Sequence, residues 1–232
     1  MRAVLMVGLL ASTSAFAQLT FTQPARSNNI EVKLGPYLPE IDSEKGLQGH
    51  PWADTFGGSA LLGELEFDHY FWQKYGAAGA GVSLGYAEKY GEALAPDGSV
   101  TGVRTNFKSI PIRVLGLYRL DYFALNSGIP LVPYLKAGFV YNPWYSGKGT
   151  AAVDYPEGVR AAGSRWGLEL AVGLAFQMDI LEPRLAHDFY SDLGVAHTYL
   201  FADFTDAWVD DLGSPGLDLS SKHWMFGLSF EY

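Results

Sequence analysis

The chain of 232 residues has no cysteine, 27 glycines, 15% aromatic residues and 18% charged residues, with a formal charge of −9. The missing cysteines exclude a disulfide scaffold, a thiolate metal site and a cysteine nucleophile, and the acidic balance argues against a nucleic-acid binder held by phosphate contacts. A hydrophobic content of 48% argues against disorder, and glycine with aromatic enrichment at near-zero mean hydropathy points to many strands rather than a helical membrane bundle.

The first element is an address. Arg2 supplies a positive n-region, Ala3 to Leu10 form an apolar core, and Ala15-Phe16-Ala17 is a small-x-small cleavage site. Residues 1–17 are therefore expected to be a cleaved secretory signal, with the mature chain starting at Gln18. The apolar core is far short of the ~20 residues of a spanning helix, and no later stretch reaches that length. No lipoprotein cysteine follows the site. Residues 18–232 read as one domain.

That domain alternates. A first strand is expected over Ile30 to Tyr37, with Ile30, Val32 and Leu34 on one face and Glu31 and Lys33 on the other. Ser59 to His69 follows, where Leu61, Leu65 and Phe67 oppose Glu64, Glu66 and Asp68. In Ala77 to Lys89, Val82, Leu84 and Tyr86 oppose glycines, which fit an inward face packed against large neighbours. In Thr105 to Leu120, Ile112, Val114 and Tyr118 oppose Arg113 and Arg119, and Pro111 predicts a bulge or break. Leu131 to Tyr141 sets Leu135, Phe139 and Tyr141 against Lys136.

The pattern is clearest in Trp166 to Ile180, where Trp166, Leu168, Leu170, Val172, Leu174, Phe176, Met178 and Ile180 share one face. Arg165, Glu169 and Asp179 fall on the other. Fifteen residues in phase is long for a soluble strand of ~5–6 residues; it suits a tilted membrane-crossing strand. Val195 to Thr205 has no clear amphipathicity. The phase with Leu200 and Phe204 outward is chosen because it points Asp203 inward. The last strand sets Trp224, Phe226, Leu228, Phe230 and Tyr232 on one face and ends on an aromatic residue. That resembles the C-terminal signal read by the barrel-assembly machinery.

Connections between these strands alternate long and short. Leu38 to Gly58, Tyr90 to Arg104, Asn142 to Ser164 and Asp206 to Ser221 are long, polar and acidic. Such asymmetry is expected of long outer loops and shorter periplasmic turns. Within the sixth connection, Pro183 to Asp192 is expected to form a short helix. Tyr70, Phe71, Trp72, Tyr75, Tyr122, Phe123 and Tyr232 are expected on the periplasmic rim. Trp144, Tyr145, Trp166, Trp208 and Trp224 are expected on the outer rim.

The fold class implied is all-β: an eight-stranded antiparallel transmembrane β-barrel with long extracellular loops. An interior that narrow holds only side chains. A polar network in the lumen is expected from Glu64, Glu66, Asp68, Arg113, Arg119, Lys136, Arg165, Glu169, Asp179 and Asp203, joined by Glu31, Lys33 and Glu231. No cofactor, metal or catalytic motif is expected. Asp218, Ser220, Ser221 and His223 lie close in sequence, so a lipid-modifying enzyme is an alternative; a narrow pore and a soluble lipocalin-like barrel are others.

The runs YRLDYF (Tyr118 to Phe123), GIPLVPYLKAGFVYNPW (Gly128 to Trp144) and HTYLFADF (His197 to Phe204) resemble an uncharacterised family of small outer-membrane β-barrel proteins typified in myxobacteria. The resemblance implies an outer-membrane barrel and brings no activity, substrate or catalytic residue with it. The expected protein is thus an outer-membrane monomer with a plugged lumen and a structural or surface-interaction role. Its expected partners are outer-membrane lipid, the barrel-assembly machinery and a ligand of the outer loops, with no nucleic acid.

Overall fold

The computed structural model describes residues 26–44, 49–94, 99–148, 151–152 and 161–232. The proposed signal and acidic residues Asp97, Asp154 and Glu157 lie outside these. Ten strands are formed: β1 (Asn28–Tyr37), β2 (Ala60–Gln73), β3 (Ala77–Leu94), β4 (Val100–Ser109), β5 (Ile112–Arg119), β6 (Leu131–Lys148), β7 (Ala151–Ala152), β8 (Ala162–Gln177), β9 (His197–Trp208) and β10 (Ser221–Glu231). Among the described residues three α-helices lie in connections: α1 (Pro51–Thr55), α2 (Tyr122–Ser127) and α3 (Pro183–Leu193).

The strands close into an antiparallel ring of eight. β1 pairs with β2 on one side and β10 on the other, which joins the two ends of the sheet. β4 and β5 count as one barrel strand, since both lie between β3 and β6. Pro111 separates them, as its missing N–H requires. The ladder resumes around it through Ile110 N–H to the Pro143 carbonyl at 3.0 Å and Gly85 N–H to the Pro111 carbonyl at 2.7 Å. β7 is a short annex on β6. Within the ring itself closure leaves no sheet edge, so the backbone there is satisfied without water.

Both described ends of the chain meet. The N–H groups of Ser27 and Asn28 donate to the Tyr232 carbonyl at 3.0 and 2.9 Å. α2 and α3 lie at this terminal end. The opposite, loop end carries α1, the paired ends of β3 and β4 and residues 209–220.

Side-chain direction follows the expected phases. Leu168, Leu174 and Phe226 are 40%, 46% and 56% exposed, and Val32, Leu65, Val114 and Phe139 join them on the outside. The charges opposite them are buried. An apolar belt this extensive is unfavourable in water, at about 25 cal/mol per Å², and is what a barrel in hydrocarbon presents. It is the inverse of a lipocalin-like barrel. Leu200 and Phe204 point outward and Asp203 inward, as the chosen phase requires. No helix among the described residues is long and apolar enough to cross a membrane.

Several sequence expectations need correction. Two segments read as long loops are largely strand: β3 runs on to Leu94 with β4 starting at Val100, and β6 runs on to Lys148 with β8 starting at Ala162. Beyond the belt the outward face no longer meets lipid, so hydrophobic alternation fades while the hydrogen-bond ladder continues. β8 ends earlier than expected, at Gln177, and Met178–Ile180 form a 3₁₀ turn. Tyr70 and Trp144 are not rim residues. Tyr70 is buried in the lumen, and Trp144 turns inward to stack on Phe107 with ring centroids 5.9 Å apart. Exposed Phe71, Trp72, Tyr75, Tyr122 and Phe123 do form an aromatic arc at the terminal end.

Candidate functional site

The inward faces build a stack of ion pairs along the barrel axis. Nearest the termini, Arg26 Nη1 lies 2.9 Å from Asp121 and 3.1 Å from Glu231. Burial opposes the Arg26 charge, but Glu231 and Asp121 outweigh it and hold its pKa above the ordinary value. Asp121 is pushed up by burial, and Arg26 offsets part of that. Glu231 also receives the Tyr199 hydroxyl at 3.1 Å and lies 3.2 Å from Arg119. Arg119 donates to the Tyr70 hydroxyl at 2.9 Å and covers the Tyr199 ring at 4.5 Å.

The middle layer centres on Lys136. Its ammonium donates to Glu31 at 2.6 Å and to Glu66, and lies 3.9 Å from Asp68. These three carboxylates cluster tightly enough to hold a cation, and Lys136 already supplies one. Lys33 donates to Glu66 at 2.7 Å. Asn29 bridges Glu31 and Asp68, each at 3.0 Å.

Above this, Arg113 pairs with Glu64 and donates through Nε to Glu169 at 2.6 Å. Asp203 accepts from the Tyr134 hydroxyl at 2.9 Å and from Thr205 at 3.1 Å. Each remaining carboxylate is thereby bonded, the condition under which buried charge is tolerated.

The loop end is sealed by an apolar cluster. Ile41, Trp52, Phe107, Val140, Ala207, Val209 and Leu219 pack together, with Phe56, Trp144 and Leu217 against them. Asp42, in the 3₁₀ turn Glu40–Ser43, accepts the N–H groups of Trp52 and Ala53 at 2.6 and 3.0 Å and so caps α1. Trp52 Nε1 donates to the Gly58 carbonyl at 3.0 Å.

Of the expected network, Glu64, Glu66, Asp68, Arg113, Arg119, Lys136, Glu169 and Asp203 come together inside. Arg165 and Asp179 do not. Arg165 sits at the loop-end mouth, 2.5 Å from Asp211 and 3.1 Å from the Pro215 carbonyl, where it ties residues 209–220 to β8. Asp179 lies past the end of β8. It bonds His197 at 2.6 Å and the Thr198 N–H at 3.1 Å, stitching the terminal end. Both share the inward parity, but the lumen ends before either is reached.

Tyr70, Tyr134, Tyr199 and Arg26 join this network beyond the residues expected of it. The tyrosines share parity with Asp68, Lys136 and Asp203 respectively. That parity is the available signal; for Tyr70, aromatic character points instead to the periplasmic rim. Three inward aromatics find room over a glycine: Tyr70 faces Gly79, Tyr134 faces Gly173 and Phe201 faces Gly227 across neighbouring strands.

The residues of the hydrolase reading are partly adjacent. Ser221 Oγ lies 3.2 Å from His223 Nδ1, both buried. Ser220 Oγ instead accepts the Val209 N–H at 2.9 Å, and Asp218 accepts the Ser220 N–H at 2.9 Å. His223 therefore faces the sealed interior, away from the lipid-facing surface.

The fold defines a closed eight-stranded β-barrel of the outer-membrane type, with ion pairs across its interior. Among solved structures, OprG of Pseudomonas aeruginosa superposes with a TM-score of 0.50 at 12% identity, over 90% of this chain and 98% of OprG. Ail of Yersinia pestis, in complex with the heparin analogue sucrose octasulfate, gives 0.45 at 14% identity, over 89% and 97%. Neisserial surface protein A gives 0.45 at 12%, over 89% and 97%. No family model and no curated protein matches the chain.

Proposed function

We propose that the protein is an outer-membrane β-barrel whose plugged body presents the loop end at the cell surface for interaction with a partner. The observation that carries this is a complete lipid-type belt around an interior bridged from wall to wall by Lys136 and Glu31. A body bridged in this way and capped by Trp52 and its neighbours suits a scaffold better than a conduit. The buried His223 gives the enzyme reading little access to lipid. Residues 1–17 would be removed on export, leaving Gln18 as the mature N-terminus. Trp224, Phe226, Leu228 and Phe230 line one outward face of β10, Tyr232 follows it in the same parity, and together they would serve the barrel-assembly machinery as its recognition signal. The family resemblance to myxobacterial barrels fits the same reading.

The native chain has no cysteine, so single-cysteine labelling tests location and orientation together. Leu212→Cys, at an exposed loop-end turn, should react with a membrane-impermeant maleimide on intact cells; Asp188→Cys, in α3, should react only after lysis. Labelling of Asp188→Cys alone on intact cells would invert the orientation, and failure of both to fractionate with the outer membrane would remove the proposal. Mass spectrometry of the purified protein reads the mature N-terminus.

A further inference from the structure

α3 has a largely uncovered apolar face, on which Ala186 and Phe189 are half-buried and the leucines are exposed. Pro183 starts the helix, and Gly194, with φ 73°, ends it, its N–H donating to the Tyr190 carbonyl at 3.0 Å. Leu185, Ala186, Phe189, Tyr190 and Leu193 share one side at helical spacing, while Arg184, His187, Asp188, Ser191 and Asp192 share the other. No residue of the helix is buried by protein. Leu185 and Leu193 are 51% and 69% exposed, and Leu181, just before the helix, is 66% exposed. Eleven residues make a marginal helix in water unless the apolar face is covered.

Two observations say what covers it. The first is continuity. α3 leaves the terminal end of β8 directly below the lipid-facing residues Val172 and Leu174, through exposed Ile180 and Leu181, and returns to β9 near outward Leu200. The second is a gap in the aromatic arc. Around the terminal end, β2–β3 and β5–β6 carry Phe71, Trp72, Tyr75, Tyr122 and Phe123, and β10 leads to Tyr232. On the β8–β9 side the outward strand positions offer Phe176, which is half-buried, and Thr198. Phe189 and Tyr190 of α3 stand where that arc is incomplete.

We infer that α3 is an interfacial helix, lying along the membrane surface at the terminal end with Leu185, Phe189 and Leu193 set into the boundary between phospholipid headgroups and acyl chains. This rests on the barrel's belt spanning a bilayer, as proposed above. The helix then extends the barrel's grip on one leaflet beyond its strands and fixes the β8–β9 side against tilting.

The test is spin-label depth measurement on the full-length mature barrel in phosphatidylethanolamine–phosphatidylglycerol vesicles. Single cysteines replace Leu185 and Leu193 on the apolar face, Arg184 and Asp188 on the polar face, and Leu174 in the belt. Accessibility to oxygen and to a water-soluble nickel chelate is then compared. The nickel-to-oxygen ratio at Leu185→Cys and Leu193→Cys should be several-fold lower than at Arg184→Cys and Asp188→Cys, and close to that at Leu174→Cys. A low ratio at Leu174 with equal ratios on both helix faces overturns the interfacial helix and leaves the barrel intact. Shielding of Leu185 and Leu193 from both reagents means a protein partner or second copy covers the face, which also overturns it. A high ratio at Leu174 itself removes the membrane reading on which the inference rests.

Discussion

Lys136 donates to Glu31 at 2.6 Å although their strands, β6 and β1, stand opposite each other in the ring. Two side chains therefore span the lumen, as the bore of an eight-stranded barrel allows. The pair is buried, and Glu66 and Asp68 crowd the same ammonium. Replacing Lys136 with Met should leave these carboxylates buried without that cation, a loss of about 3–5 kcal/mol. Urea unfolding in lipid vesicles measures it. Adding Glu31→Gln to the Lys136→Met variant should recover part of the loss. A cost under about 1 kcal/mol, the range of solvent-exposed pairs, would mean that water enters this layer.

Arg119 and Glu231 form a second bridge between opposite strands, at 3.2 Å, one layer nearer the termini. The apolar cluster around Trp52 closes the other end. Wild-type protein in planar bilayers should therefore show no steady conductance. Arg113→Ala and Glu169→Gln should stay closed as well, because the Lys136 and Arg119 layers remain. Step conductance that changes with either substitution would favour the pore reading over the plugged body.

Gly173 faces Tyr134 across the β6–β8 ladder, and a Cβ there would overlap the tyrosine ring. Displacing that ring also strains its 2.9 Å hydrogen bond to Asp203. Gly173→Ala should cost about 1–3 kcal/mol, the range for overpacking. Gly116→Ala is the matched control. Its Cβ would point outward, with its nearest neighbour the Ala137 carbonyl at 3.8 Å, and stability should change by less than about 0.5 kcal/mol. Equal effects at the two sites would show that glycine acts through backbone freedom and not through the aromatic fit.

The alternation of Trp166 to Phe176 against Gly167 to Gln177 made the barrel legible, because lipid and lumen impose opposite chemistry on successive residues. The same parity located eight of the ten expected lumen residues. It failed at Arg165 and Asp179, since period two says which face a residue takes and not where along the axis the lumen stops. It also held Tyr134 and Tyr199, whose apolar rings disguised hydroxyls committed to Asp203 and Glu231. The seal at the loop end had no such signal. Ile41, Trp52, Val209 and Leu219 come from two separate connections, and irregular backbone carries no periodicity to read.

That seal folds as an attachment to the barrel, and its parts can be loosened separately. Asp42 holds the first turn of α1 through the N–H groups of Trp52 and Ala53, so Asp42→Ala should weaken the seal by about 0.5–2 kcal/mol, as loss of an N-cap does. Trp52→Ala removes the largest ring from the cluster and should cost about 3–5 kcal/mol locally. In vesicles both variants should become cleavable within residues 38–59 under limited proteolysis, Trp52→Ala more readily. The strands carry their own ladder and belt, so the urea midpoint of the barrel should barely move. A Trp52→Ala protein whose barrel unfolds at markedly lower urea, with no earlier cleavage of the loop, would show instead that seal and barrel form one cooperative unit.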